Sequence, residues 1–574
     1  MVQAVTPANT SPSAEAIGEE RCTFEERMID LPFRPCTALI DLRNFLPVPL
    51  PSIRLRGSSD SPTKGTADPP GRSDTIPCRV SHMPLDQRRA PLLEALTEVQ
   101  SRKPSTYGAP GHHAGKGATR DVTKLIGSKV FAADVLTLKG VDDRRETKQV
   151  RQTAEQLAAE VWGADSCFFS SNGSTLSGQA AILACAGPGD KVLVARNAHK
   201  STIAACIYAG LDLVPIEPDQ DAAWDIEHGI SATEIERKLY AHPDAKAVFI
   251  VSPTYFGITS DIAAIAAVCH ARRTPLIVDE AWGALFPFSS DLPEPAIRLG
   301  ADLSVASVHK SMGALTQASI MLRRGDLVPA DHLALTYDLL ESTSPSIPIF
   351  ASIDATRRHY ALHGERLLRA LLRRVRHVRR RIAGIEGVRV MGPEVLNGAG
   401  AFGWDETKIL IDVSGLGVSG YEADDWLEKE RKLTLGLSDD RKLLAIFGAG
   451  SGIKDAHALI TGIKALAQAA RSGSTSWGGP PTGLPPLDAL GTDMALRPAA
   501  AFFGDTEHVP LHDAAGRIVA EMVSPYPPGI PRLLPGQRIS AAHVRYLEIS
   551  REAGAHAPDP SDIRLQTVRV VKGA

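Results

Sequence analysis

Between Tyr107 and Ile320 the chain alternates short apolar runs with stretches of helical period. Val150, Ala154, Leu157, Ala158 and Val161 recur at helical spacing and predict a helix early in this region. Apolar runs follow at 167–169, 191–195, 247–252, 275–280 and 303–307. They are continuous rather than alternating, as expected of strands buried on both faces of a parallel sheet. Helical segments separate them, which predicts a layered α/β domain. Residues 321–380 read as strongly helical, and their basic run RRHYALHGERLLRALLRRVRHVRRR as a solvated helix face. Residues 381–470 carry further strand and helix signals, among them KILIDVSG.

Residues 1–82 break the pattern. They hold 11 of the 41 prolines and no useful period, so their composition predicts a disordered extension, with the folded part starting near Met83. The remaining chain divides into a major domain at 83–380, a smaller α+β domain at 381–470, a Gly/Ser/Pro-rich linker at 471–486 and a final unit at 487–574. Hydrophobic residues at 43% and charged residues at 22% fit a folded protein. A net charge of −3 weighs against a general nucleic-acid binder. No apolar run is long enough for a membrane span, and the first residues carry no secretory signal. The seven cysteines show no CxxC or His-paired spacing, so neither a disulfide framework nor a zinc site is expected, and a cytoplasmic location is.

Four polar clusters directly follow the apolar runs, where open parallel sheets bind ligands. The loop Ser170 to Thr175 precedes a helix-like segment and could cradle a phosphate with backbone N–H groups and the Ser174 and Thr175 hydroxyls. Taken alone it reads as an ordinary N-cap. His199, after the second run, could stack on a flat heterocycle, although a single His is more often structural. Asp279 is a carboxylate at a buried strand end, suited to a metal or a protonated ring nitrogen. No nearby His or Cys offers a second metal ligand, which favours the nitrogen. Lys310, within the stretch from Ser307 to Ala314, could be a desolvated amine nucleophile; alone it reads as a surface lysine. Together, a phosphate site, a stacking ring, a carboxylate and a reactive amine match what pyridoxal 5′-phosphate (PLP) requires.

The motifs also resemble a known family. SVASVHKSMGALTQAS (304–319) is similar to the PLP-lysine signature of the Orn/Lys/Arg decarboxylases. The resemblance extends through APGHHAGKG, SSNGSTLSGQ, NAHKS, PTYFGITSD, VDEAWGA and TSPSIPIFASID, and resumes in GRIVAEMVSPYPPGIPRLLPGQ (516–537). It implies a fold type I large domain with a mainly parallel sheet, a smaller α+β domain and an additional C-terminal α+β domain. It also implies decarboxylation of arginine, lysine or ornithine in a homodimer or multiple of dimers. An aminotransferase, another lyase or an inactive paralogue on the same scaffold are the alternatives.

Residue by residue, the resemblance makes Lys310 the amine that condenses with the cofactor, Asp279 the partner of its ring nitrogen and His199 the stacking ring. It sets Ser174, Thr175, Ser307 and His309 around phosphate and ring, with Trp282 lining the pocket. Lys310 or His309 is the expected proton donor. Thr343 is expected to reach a neighbouring subunit's cofactor, and Glu521 to accept the substrate's distal cation. Trp282, Leu285, Thr137 and Gln537 depart from residues usual in the family.

Overall fold

A computed structural model describes residues 84–102, 105, 107–136, 149–473, 475–525 and 529–573. The predicted extension at 1–82, Met83 and Thr137 lie outside the described residues. Seven strands form the main sheet: β1 (Ser166–Ser170), β2 (Lys191–Ala195), β3 (Asp212–Ile216), β4 (Ala247–Val251), β5 (Leu276–Asp279), β6 (Leu303–Ala306) and β7 (Ser319–Arg323). Their order is β1-β7-β6-β5-β4-β2-β3, and only β7 runs antiparallel to its neighbours.

The continuous apolar runs have a direct cause. Successive side chains of a strand point to opposite faces, and here both faces are covered. Phe168, Phe249 and Val251 pack with the helices Gly173–Leu183 and Lys200–Ala209. Val248 and Ile250 pack with Ala232–Ala241 and Ile262–Ala271. Phe169 packs with the long helix Ile347–Ala383. That helix buries Leu368, Leu371, Leu372, Val375 and Val378 and leaves much of its basic run exposed. It carries on past residue 380, where the sequence placed a domain boundary.

Strand register assembles one end of the sheet. Val251 pairs with Asp279, and Asp279 with Val305, so three strands finish side by side. The antiparallel β7 begins at this same end, with Ser319 opposite Ser170 and Ile320 opposite Ala306. A buried ionic network fixes β1. Arg151, 2% exposed, bonds Glu155 at 3.0 Å, Glu341 at 3.0 Å and the Phe169 carbonyl at 2.8 Å. Removing one partner of such a buried set typically costs about 3–5 kcal/mol, because a charge is left uncompensated.

A second, antiparallel sheet joins β8 (Arg389–Val390), β9 (Lys408–Asp412), β10 (Leu437–Ser438) and β11 (Lys442–Ile446) in the order β8-β9-β11-β10. The predicted linker is tied down: Gly478 and Gly479 donate backbone N–H groups to Glu422. Beyond it, β12 (Thr506–Pro510) pairs antiparallel with β13 (Thr567–Val571) beside the helix Ala541–Glu552. Arg196, just past β2, joins this last unit to the main sheet. Its guanidinium donates to Thr492 at 2.9 Å, to the Arg532 carbonyl at 2.7 Å and to the Pro531 carbonyl. Among the described residues no helix is long and apolar enough to cross a membrane.

Candidate active site

The strand ends enclose a cavity of about 270 Å³. Ser174, Thr175, His199 and Asp279 line it from the loops after β1, β2 and β5, and Trp282, Ser307, His309 and Lys310 complete that set. Asn197, Tyr255 and Gln317 also line it. Asn197 and Tyr255 lay within motifs quoted for the family resemblance, in NAHKS and PTYFGITSD, without being singled out.

The phosphate-type loop is built by small residues. Gly173 adopts φ 71°, a left-handed conformation that costs glycine little. Its N–H donates to the Gln317 carbonyl at 2.8 Å. Asn172 makes no side-chain cap, which leaves N–H groups of the following turn for an anion. Ser174 Oγ lies 2.6 Å from Ser307 Oγ and 3.0 Å from Ser319 Oγ. The helix after β1, the turn after β6 and the first residue of β7 therefore contribute to one hydroxyl cluster.

His199 begins the helix Lys200–Ala209, and its Nδ1 accepts from the Ser201 N–H at 3.2 Å. Burial lowers its pKa; Asp279 opposes this, and Lys310 and Lys200 add to it. The ring is thus neutral, with its orientation fixed. His309 is also kept neutral chiefly by burial, and its Nδ1–H donates to the Ala318 carbonyl at 2.8 Å. Its Nε2 then carries no proton, so His309 is a poor donor and Lys310 the better one.

Lys310 Nζ sits 4.4 Å from the centre of the Trp282 ring. Burial lowers its pKa most, Asp279 opposes, and Lys408 lowers it further. A lysine with a lowered pKa offers more free amine at neutral pH. Asp279 accepts the Ala281 N–H at 3.1 Å and otherwise faces the cavity. Beside it, burial raises the Glu280 carboxyl to about 8, with Ala296 N–H and Ser304 Oγ as partners. At neutral pH Glu280 is therefore mostly uncharged and adds little repulsion to Asp279.

Glu280 gives a pH prediction. Its folded pKa lies above the unfolded value, so between roughly pH 4.3 and 8 folding carries a proton that the unfolded chain releases. Stability falls there by about 1.4 kcal/mol per pH unit from this group, and the loss levels off above 8. Glu280→Gln removes that loss. Its melting temperature relative to wild type should rise steadily from pH 5 to pH 8; a constant difference would contradict the assignment.

The cavity's chemistry fits PLP. Trp282 and Asn197 line the cavity, and the buried Trp282 indole N–H and Asn197 side-chain oxygen have no partner among the described residues, so each still has hydrogen-bonding capacity beside the site. A hydroxyl cluster at a helix start, a carboxylate and an amine complete the set a phosphorylated pyridine aldehyde needs.

Two expected site residues lie outside the cavity of the single chain. Glu521 does not line the cavity. Its carboxylate accepts Ser561 N–H at 2.8 Å, Ser561 Oγ at 2.7 Å and Arg569 N–H at 2.7 Å, and is 5% exposed. Both oxygens accept hydrogen bonds inside the C-terminal unit, where Glu521 anchors the 559–561 loop. That loop does approach the site, because Asp559 bonds Lys200, the neighbour of His199. Thr343 is exposed and outside the cavity of this chain. Gln537, where the family usually has Glu, is buried and bonded to Gly491, Leu534 and His543, so this departure lies away from the cavity.

Comparison with known proteins agrees with the geometry. The sequence matches "Orn/Lys/Arg decarboxylase, major domain" over residues 90–455 and "Orn/Lys/Arg decarboxylase, C-terminal domain" over 491–561. It is 35% identical over 488 residues to an arginine decarboxylase of Bacillus subtilis, covering 85% of this chain and 99% of that one. Against the lysine decarboxylase LdcA of Pseudomonas aeruginosa it is 23% identical, covering 80% and 76%. The solved lysine decarboxylase LdcF of Francisella novicida shares the fold with a TM-score of 0.72 at 20% identity, over 84% of this chain and 81% of that one. The chain therefore belongs to the Orn/Lys/Arg decarboxylase family of PLP-dependent carboxy-lyases and is a decarboxylase of basic amino acids.

Proposed function

We propose that the substrate is L-arginine and the products agmatine and carbon dioxide. The carrying observation is the match along nearly the whole Bacillus subtilis arginine decarboxylase, at higher identity than the lysine decarboxylases reach. When bound, PLP supplies an aldehyde for the substrate amine and a protonated ring that takes up the electron pair left by the departing carboxylate.

The chain's own groups then divide the work. Ser174, Thr175 and Ser307 bind the phosphate with hydroxyls, helped by the helix start. His199 presents a neutral, fixed ring face. Asp279 holds the proton on the ring nitrogen, since an adjacent carboxylate raises that nitrogen's pKa. Trp282 would wall the cofactor's cavity and supports Lys310 with its ring. Lys310 anchors the cofactor and delivers the proton to Cα from Nζ. His309 orients the turn through Ala318 and fills the cavity wall.

Asp279 is the only carboxylate lining the cavity among the described residues, and its role is taken. The acceptor for the guanidinium comes, in this reading, from a second copy of the chain, with Thr343 exposed for the same contact. Among the described residues Cys185, Cys206 and Cys269 are free thiols, which suits the reducing cytoplasm.

Purified protein with PLP and a panel of amino acids tests the reading through carbon dioxide and amine release. Arginine should exceed lysine and ornithine by about tenfold or more in kcat/KM, because differences of a methylene or a hydrogen-bonding head are discriminated at least to that extent. A preference for lysine or ornithine would overturn the substrate assignment.

A further inference from the structure

Lys408 opens β9 in the smaller sheet and is 0% exposed. Its Nζ donates to the Asp405 carboxylate and, at 3.1 Å, to the main-chain carbonyl of Trp282. The same Nζ lies 5.6 Å from the centre of the Trp282 ring, whose centre is 4.4 Å from Lys310 Nζ. Asp405 is itself fixed by the Thr407 N–H at 3.0 Å and the Thr407 hydroxyl at 2.7 Å. Neither Lys408 nor Asp405 lines the cavity.

A buried ion pair is weak evidence of a stabilising role, because apolar residues of similar volume often serve stability as well. This pair has a specific reach instead. It grips the main chain of the residue that carries an unpartnered indole N–H and supports Lys310.

We propose that the buried Lys408–Asp405 pair is a positioning device for Lys310: it clamps Trp282 from the smaller sheet and sets a second fixed positive charge behind the indole. This rests on Lys310 being the reactive amine. The charged and titratable groups around Lys310 are Asp279, His199, His309 and Lys408, with Asp405 behind Lys408. Lys408 repels the protonated Lys310, and Asp279 attracts it. The pair therefore couples the smaller sheet to the free-amine fraction of a lysine it does not touch.

The test reads Lys310 directly in cofactor-free, full-length protein. Acetic anhydride labels lysines across a pH series, and peptide mass spectrometry follows Lys310 against the more exposed Lys200 as reference. Two variants remove the charge. Lys408→Met with Asp405→Leu replaces the pair by apolar groups, and Lys408→Gln keeps a donor towards Trp282. Whichever folds with a near-wild-type melting temperature should shift the Lys310 labelling midpoint upward by about one pH unit, as expected for loss of a nearby like charge. Lys408→Arg keeps the charge and should keep the midpoint. A folded variant with an unmoved midpoint would overturn the proposal and leave the pair a purely structural role. If neither charge-removing variant folds, Asp405→Asn, which leaves the Lys408 charge without its counter-charge, should move the midpoint downward by roughly half a unit or more, and an unmoved one overturns the proposal. Borohydride fixation of PLP in the wild type separates the two claims. A label on a lysine other than Lys310 would sink the site assignment, whereas the acylation midpoint reports on the clamp in either case.

Discussion

Lys310→Ala is expected to lower amine production by roughly 10³-fold or more, since it removes both the anchoring amine and the proton carrier. Among the described residues two other lysines lie near the cavity. Lys200 pairs with Asp559, and Lys408 is enclosed and paired with Asp405. Neither has an amine free in the cavity, so neither can substitute. Borohydride treatment of the wild type should fix the cofactor on the peptide containing Lys310, and the alanine variant should carry none. Retained colour and a reduced label on another lysine would show that the reactive amine lies elsewhere. The variant should keep its melting temperature without cofactor, because Lys310 Nζ contributes a contact to Trp282 and no hydrogen bond to the core among those described.

Asp279→Asn should give the second-largest effect. Asparagine preserves the shape and can still accept the Ala281 N–H, so the strand end is expected to hold. It removes the charge that keeps the ring nitrogen protonated. An adjacent opposite charge moves a pKa by about 1–3 units, so at neutral pH much of that protonation is lost. We expect kcat to fall by roughly 10- to 10³-fold, with the loss growing as pH rises and KM changing less. Cofactor reduction should still label Lys310. An unchanged kcat and pH profile would remove Asp279 from the ring nitrogen.

The residues behind these two predictions were legible because the chemistry follows strand ends, and the strands announced themselves. A strand buried on both faces needs apolar residues at every position, and 247–252 and 303–307 have no other ready reading. β3 escaped because DLVPI is an edge strand that tolerates Asp212 and Pro215. β7 escaped because its antiparallel return, directly after the lysine turn, breaks the strand–helix alternation that guided the reading. Glu521 shows what a local motif leaves unseen. A carboxylate in a recognisable motif looked available, but Ser561 and Arg569 reach it from far along the chain. Lys408 carried no local signal at all. Its meaning lies in a single bond to the carbonyl of Trp282, set by how two sheets meet.

The bolt at Arg196 bears on how such chains diversify. Two of its three acceptors are peptide carbonyls, of Pro531 and Arg532, which any sequence could provide if the trace of that turn were kept. At this bolt a C-terminal module exchanged between relatives would thus be accepted or rejected largely on backbone shape, while the Lys200–Asp559 and Arg532–Glu227 pairs would still read side-chain identity. One residue inserted or deleted at 531 would strand a guanidinium in the dark interior of a hybrid.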